Sequence, residues 1–327
     1  MRLCQFYTSE AERDGDLARR MPVASRLGLL VGGRVVDITA EVARHIDLAD
    51  PQYAGVLAAW VAGWDRGAAL SEKLRAVVQA GEADQGGLDP EQIHFAPCVP
   101  RPSQYLDFYA FEEHVRTARR IRGLKGVPPE WYEIPAYYNS NPTSLIGHRM
   151  TAWFPPEEEQ MDYECELACV IGRAIRNPTP AQARDAIAGY TLLNDFSCRQ
   201  RQARAMPINM GPAPGKDFCS ALGPFLVTPD EVADLAAVRM RAFVNEEQWT
   251  DGCYGSVRYR FEEMIVYAAH CRTLWPGDIL GSGTVGGGCG LELGRYLQPG
   301  DCVRLEADGL GVLENRVMRA EAAPAGP

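Results

Sequence analysis

Glu164 and Glu166 stand two residues apart in Asp162-Tyr163-Glu164-Cys165-Glu166-Leu167-Ala168-Cys169-Val170-Ile171-Gly172, a run with strong β character. Strand alternation puts both carboxylates on one face, about 7 Å apart over two strand rises. Charges of one sign that close repel unless a cation sits between them, and Mg²⁺, Ca²⁺ or Mn²⁺ takes oxygen ligands of this kind. An isolated pair is more often a solvated strand face, so the weight falls on the other chemistry-bearing residues. Asp195 ends a second apolar run, Tyr190 to Asn194, and Asp107 lies within Gln104 to Tyr109. His114 sits in a charged helical stretch, residues 110–122, and Lys216 on a Gly/Pro-rich turn, residues 211–218.

The elements that must position these groups follow from local pattern. Leu27–Val31 and Arg34–Ile38 flank Gly32-Gly33, which predicts a hairpin. Helical spacing follows over 52–63 and 71–80, the second with an N-cap at Ser71, and then a loop over 81–90. Pro97, Pro100 and Pro102 mark a boundary between a small N-terminal unit, residues 1–97, and a unit spanning 98–321. Thr179 reads as an N-cap with Pro180 at the first helical position, and the helix is expected to run to Ala188. Strand, helix and strand in succession predict a crossover between parallel strands, which brings Asp195 towards Glu164 and Glu166. Beyond Gly223 the pattern is of short strands, two of them headed by the turns Pro276-Gly277-Asp278 and Pro299-Gly300-Asp301. Residues 322–327 read as a disordered tail.

The 327 residues suffice for a large core, and 46% hydrophobic and 23% charged residues are ordinary for a globular protein. A formal charge of −10 without a basic run argues against nucleic acid or anionic membrane as partners. No apolar run has the length of a membrane span and the N-terminus lacks a secretory pattern, so a cytoplasmic location is expected. The 10 cysteines include no C-x-x-C pair and read as reduced, mostly buried thiols. Cys165 and Cys169 fall on the strand face opposite the two glutamates.

Gly281-Ser282-Gly283-Thr284-Val285-Gly286 matches a dinucleotide fingerprint in letters alone. Gly287, Gly288 and Gly290 follow, where a helix does not readily start, and too little chain remains for a dinucleotide domain. The stretch reads as a turn where backbone approaches a ligand, with Thr284 a contact.

Taken together, these motifs resemble the fumarylacetoacetate hydrolase family over roughly residues 103–317. Asp107-Phe108-Tyr109 followed by His114 resembles a segment with a metal-ligand Asp and the catalytic His. Glu164-x-Glu166 resembles the metal pair. Asn194-Asp195-Phe196-Ser197-Cys198-Arg199-Gln200-Arg201-Gln202 resembles a signature whose Asp binds metal and whose Arg and Gln face substrate. Gly215-Lys216-x-Phe218 resembles the active-site Lys loop, and Leu291-Glu292-Leu293 falls where a Glu pairs with the catalytic His. There are departures: Gln200 replaces an Asp, the Gly-rich segment 286–290 is short, and Thr117 stands where many members carry the Glu of His-x-x-Glu.

The resemblance implies an α+β, mostly β chain: a mixed β-sandwich roll catalytic domain after a small N-terminal α/β domain, usually as a homodimer. It implies Mg²⁺ (or Ca²⁺ or Mn²⁺) on Asp107, Glu164, Glu166 and Asp195, with His114 and Glu292 activating water. Lys216, Arg199 and Gln202 stabilise an oxyanion, and Tyr109, Tyr138 and Thr284 line the substrate pocket. Arg119, Arg120 and Arg122 read as a wet helix face. The expected function is hydrolysis of a carbon–carbon bond in a β-diketone or acylpyruvate-type acid. Decarboxylation of a 2-oxo acid, hydration or tautomerisation on the same metal site is the alternative. A non-catalytic binding protein is disfavoured by so many charges directed at one cavity.

Overall fold

The computed structural model describes residues 1–19, 25–43, 87–209 and 211–321. The helical segments expected over 52–63 and 71–80 and the tail over 322–327 lie outside these residues, as does most of the loop expected over 81–90.

An eleven-stranded mixed sheet carries the site. Its path runs Arg34–Asp37, Arg26–Val31, Arg2–Tyr7, Ser220–Val227, Ile187–Asn194, Cys165–Ile171, Ile279–Gly281, Tyr105–Phe108 and Tyr137–Asn139, with His94–Phe95 and Leu145–Ile146 paired off this path. A five-stranded sheet, ordered Glu247–Cys253, Arg239–Val244, Cys302–Ala307, Gly311–Arg319, Thr151–Phe154, packs against it. The architecture is the expected α+β, predominantly β fold. The expected N-terminal hairpin is present, with Gly32 and Gly33 both at positive φ, 55° and 80°. Its strands reach Ser220–Val227 through Arg2–Tyr7, so the N-terminal strands share the sheet that carries the site. Among the described residues no helix is long and apolar enough to cross a membrane.

Alternation along Cys165–Ile171 separates two cores. Cys165, Leu167, Cys169 and Ile171 pack into the cluster shared with Met240, Ala242, Leu305 and Leu313 of the smaller sheet. Ala168 and Val170 face the other way, against Leu3, Leu27, Leu193 and Leu226. Burying one Leu-sized side chain in such a cluster contributes about 1.5–3 kcal/mol.

The parallel crossover expected after Gly172 is corrected: Cys165–Ile171 and Ile187–Asn194 are antiparallel neighbours. Thr179 does cap the helix, in a capping box with Gln182, but the helix spans Pro180–Asp185, 6 residues, and stops short of Ala188. At 1.5 Å per residue it rises about 9 Å. The 7-residue strand before it covers about 23 Å. So short a helix cannot return the chain to the start of a parallel neighbour, and the connection simply reverses direction.

Both Pro-Gly-Asp turns head strands as expected, Ile279–Gly281 and Cys302–Ala307, with Gly277 at φ 88° and Gly300 at φ 97°. The helical stretch expected over 110–122 is Glu112–Ile121. The glycine-rich segment after Thr284 is a turn, but one helical turn, Gly290–Leu293, does begin at its end. Asp162 accepts hydrogen bonds from the backbone N–H groups of Gly290 and Leu291, 2.7 and 3.0 Å, which supplies a local reason for that turn.

Candidate active site

Four adjacent strands, Ile187–Asn194, Cys165–Ile171, Ile279–Gly281 and Tyr105–Phe108, bring the carboxylates together. Asp107 lies on Tyr105–Phe108, in parallel register with Gly281, and Glu166 on Cys165–Ile171. Antiparallel pairing of Cys165 with Asn194 sets Asp195, one residue on, beside Glu164. The Glu164 N–H donates to Asn194 Oδ1, 3.1 Å, and the Asp195 N–H to the Glu164 carbonyl, 3.3 Å. Oxygens of Asp107, Glu166 and Asp195 all lie within 4.8 Å of one another. Gly281 permits this approach. A Cβ there would stand 2.5 Å from Asp107 Oδ1 and 3.2 Å from Glu166 Oε2.

Glu164 opens into the same cavity but has different company. Lys216 Nζ donates to Glu164 Oε2 at 2.5 Å and to Asp195 Oδ2 at 2.6 Å. An Arg199 Nη2 ion pair at 2.7 Å engages Glu164 Oε1. Arg199 in turn donates to Asp162 Oδ2, 2.7 Å, and to Gln202 Oε1, 3.1 Å. Asp195 also accepts from Tyr138 Oη, 2.7 Å, and Ser220 Oγ, 3.0 Å. Glu166 accepts from the Gly283 N–H, 3.0 Å, and more distantly from Thr284 Oγ1, 3.3 Å.

Charge follows this company. Burial opposes ionisation of Glu164, yet Lys216 and then Arg199 outweigh it and hold the carboxyl well below its ordinary range. Burial pushes Asp107 well above, reinforced by Asp195, and Glu166 likewise, reinforced by Asp107. Burial also works against the Lys216 ammonium, but Asp195 and Glu164 hold its pKa above the ordinary lysine value.

Across the cavity, His114 Nδ1 meets Glu292 Oε2 at 2.9 Å. His114 is brought in by the helix Glu112–Ile121 and Glu292 by the turn Gly290–Leu293. The Gly288 N–H also donates to Glu292, 3.1 Å, and Tyr109 stands edge-on to the imidazole. Burial opposes the Glu292 charge, but its hydrogen bond with His114 brings the carboxyl below the usual range.

One cavity of about 260 Å³ joins these groups. Asp107, Glu164, Glu166, His114, Lys216, Gln202, Tyr109, Tyr138 and Thr284 all line it, and Arg199 braces Glu164. Two residues were not foreseen in these positions. Arg122, read from the sequence as part of a wet helix face, lines the cavity, and its side chain makes no salt bridge among the described residues. Asp162, fully buried, joins Arg199 to the turn that carries Glu292. Nothing local set it apart in the sequence, where Glu159, Gln160, Glu164 and Glu166 flank it.

Asp107, Glu166 and Asp195 fit a hard divalent cation. They offer oxygen donors at close range, burial resists the ionisation of Asp107 and Glu166, and buried Asp107 Oδ1 has no hydrogen-bond partner among the described residues.

Comparison with known proteins agrees with this architecture. Residues 104–318 match the family model for the fumarylacetoacetate (FAA) hydrolase C-terminal domain. This chain belongs to the fumarylacetoacetate hydrolase family. A 4-hydroxyphenylacetate degradation bifunctional isomerase/decarboxylase from Salmonella dublin is 31% identical over 189 residues, covering 58% of this chain and 42% of that protein. The match thus spans less than half of that relative's length. A Staphylococcus epidermidis protein is 30% identical over 265 residues, 76% of this chain and 81% of its own. Among solved structures, the maleylpyruvate hydrolase of Sphingobium sp. SYK-6, in complex with manganese(II) and pyruvate, superposes with a TM-score of 0.72 at 22% identity, covering 98% of this chain and 100% of that one. A fumarylacetoacetate hydrolase from Exiguobacterium antarcticum gives 0.68 at 21%, with the same coverage.

Proposed function

We propose that this chain is a divalent-metal-dependent hydrolase that cleaves a carbon–carbon bond in a β-diketone or acylpyruvate-type acid. The observation that carries the reading is the His114–Glu292 pair at 2.9 Å, whose His114 lines the same cavity as Asp107, Glu164 and Glu166. Asp107, Glu166 and Asp195 would hold the ion with Glu164 beside them, and a bound ion supplies Lewis acidity for a keto or enolate oxygen.

The chain's own residues do the rest. Glu292 engages Nδ1 of His114 and leaves Nε2 as the basic nitrogen, which takes a proton from water as its oxygen adds to a carbonyl. The Glu292 carboxylate stabilises the imidazolium that forms. Lys216 and Gln202 offer hydrogen bonds to the developing oxyanion; loss of one such donor typically raises a barrier by about 3 kcal/mol. The imidazolium then returns its proton to the carbon leaving group. Arg122, at the cavity wall and in no salt bridge among the described residues, suits a second carboxylate at the far end of the substrate. Arg122→Ala is expected to raise KM roughly tenfold or more while kcat changes little, matching the about 1.5–3 kcal/mol of a charge-assisted contact.

Metal-dependent decarboxylation or isomerisation of a 2-oxo acid is the second reading, favoured by the isomerase/decarboxylase among the sequence relatives. Mass spectrometry of products from Mg²⁺- or Mn²⁺-loaded protein separates them. Hydrolysis yields two fragments from an acylpyruvate, lost in His114→Ala. Pyruvate and CO₂ from oxaloacetate, with acylpyruvates untouched, would move the chain to the second reading. Membership of a homodimer, as the family resemblance implies, belongs to the same proposal and is read by sedimentation.

A further inference from the structure

Cys289 stands behind the His–Glu pair, and no step above uses it. Its Sγ lies 3.5 Å from Glu292 Oε2 and 4.0 Å from His114 Nδ1, and those two atoms are 2.9 Å apart. The trio falls within 4.8 Å as a group separate from the carboxylate cluster. Cys289 is fully buried, the Glu292 side chain is 3% exposed, and Glu292 Oε1 is buried without a hydrogen-bond partner among the described residues. Zinc bonds of about 2.3 Å to sulfur and about 2.0–2.1 Å to nitrogen and oxygen put the edges of a tetrahedral site at about 3.3–3.6 Å. Each observed separation is within about 0.5 Å of that range.

We infer that His114 Nδ1, Cys289 Sγ and Glu292 Oε2 form a second metal site, selective for a soft or borderline divalent cation such as Zn²⁺, Cd²⁺ or Co²⁺, whose occupation switches the enzyme off. Donor chemistry separates it from the first site. A sulfur, a nitrogen and an oxygen favour these ions, whereas the carboxylate cluster favours hard ones. The fourth tetrahedral position is left to water. Burial, then the charge of Asp162, holds the Cys289 thiol protonated, so a cation is needed to draw out the thiolate.

The proton balance gives the consequence. One metal–sulfur bond forms as the thiol proton leaves to solvent. Metal takes the Nδ1 lone pair, the Nδ1 proton is lost, and Nε2 acquires a proton from solvent. The net release is one proton per ion, and the nitrogen proposed as the base then carries hydrogen. The inhibitory consequence rests on the proposed role of His114; the binding does not.

Co²⁺ is the probe. Protein preloaded with Mg²⁺ and titrated with Co²⁺ should develop an intense thiolate-to-cobalt charge-transfer band with tetrahedral ligand-field bands, saturating at one ion per chain and bleached by Zn²⁺. Cys289→Ser should abolish the charge-transfer band, Glu292→Gln should weaken Co²⁺ binding, and Cys271→Ser, at an exposed thiol, should leave the spectrum intact. Loss of a direct ligand should cost at least the about 10–100-fold that a second-shell partner costs. Absence of the band in wild-type protein, or its persistence in Cys289→Ser, would overturn the site whether or not the protein turns over any oxo acid. With a substrate in hand, Zn²⁺ added over Mg²⁺ should suppress turnover in wild type at least about tenfold more than in Cys289→Ser. Equal suppression of both would overturn the switch.

Discussion

Glu164, just before the strand Cys165–Ile171, and Glu166, within it, stand two residues apart and meet opposite electrostatic fates. Two buried cations, Lys216 and Arg199, hold Glu164 ionised. Glu166 faces Asp107 and Asp195, and burial beside them favours its neutral form. The cavity therefore has a pole balanced by the protein's own side chains and a pole that a divalent ion would balance. Residue type and spacing made the two glutamates look equivalent. What distinguishes them is supplied by elements far along the chain.

The largest effect should come from unbalancing the first pole. Lys216→Met leaves Glu164 and Asp195 buried with less compensation, and removing one partner of a buried pair typically costs about 3–5 kcal/mol. Denaturant unfolding of the metal-free protein reads this directly. A loss below about 1 kcal/mol, as at an exposed pair, would erase the contrast between the poles.

Gly281→Ala should act at the second pole. The added Cβ meets Asp107 Oδ1 at 2.5 Å and Glu166 Oε2 at 3.2 Å, so the carboxylates must part. Overpacking of this kind costs about 1–3 kcal/mol. Calorimetric titration with Mn²⁺ should show lost affinity for a hard ion, and unchanged affinity would mean that the cluster is not where it binds.

A smaller effect is a pH slope. Asp107 and Glu166, raised in the folded metal-free protein, keep protons that the unfolded chain releases above about pH 4. The folded state then binds more protons, so this contribution to stability falls as pH rises from about 4 towards the raised pKa values. Glu164 runs the other way. Its stabilisation is full above the unfolded value of about 4.3 and is lost as pH falls towards its lowered pKa. Unfolding curves at stepped pH should show a shallower decline in Glu166→Gln than in wild type, and Mg²⁺ should stabilise wild type more at pH 8 than at pH 5. Parallel pH curves for the two proteins would contradict the assignment.

What was legible in the sequence was local. Gly32-Gly33, the two Pro-Gly-Asp turns and the Thr179 cap are fixed by backbone preferences within a few residues, and they fold as read. The antiparallel pairing of Cys165–Ile171 with Ile187–Asn194 was not, because strand direction depends on how much of the connection becomes helix. Asp162 escaped notice because its partners are 37 residues away at Arg199 and 128 away at Gly290. Arg122 was misplaced because helical periodicity does not say which neighbour covers a polar face. Glu164, Glu166 and Asp195 stood out by residue type and strand alternation, whereas the roles of Asp107, His114, Lys216 and Glu292 came through a family resemblance that joins distant motifs; periodicity alone would not have joined His114 to Glu292.

The central claim is that water, activated at His114, ends up in a product. Turnover of an acylpyruvate in H₂¹⁸O by the Mg²⁺- or Mn²⁺-loaded protein tests it most directly. The account expects one ¹⁸O in the carboxylate of the released acid fragment, with the rate falling about 10²–10⁴-fold in Glu292→Gln. Conversion to an isomer of unchanged mass, or release of CO₂ with no hydrolytic fragment carrying label, would contradict it.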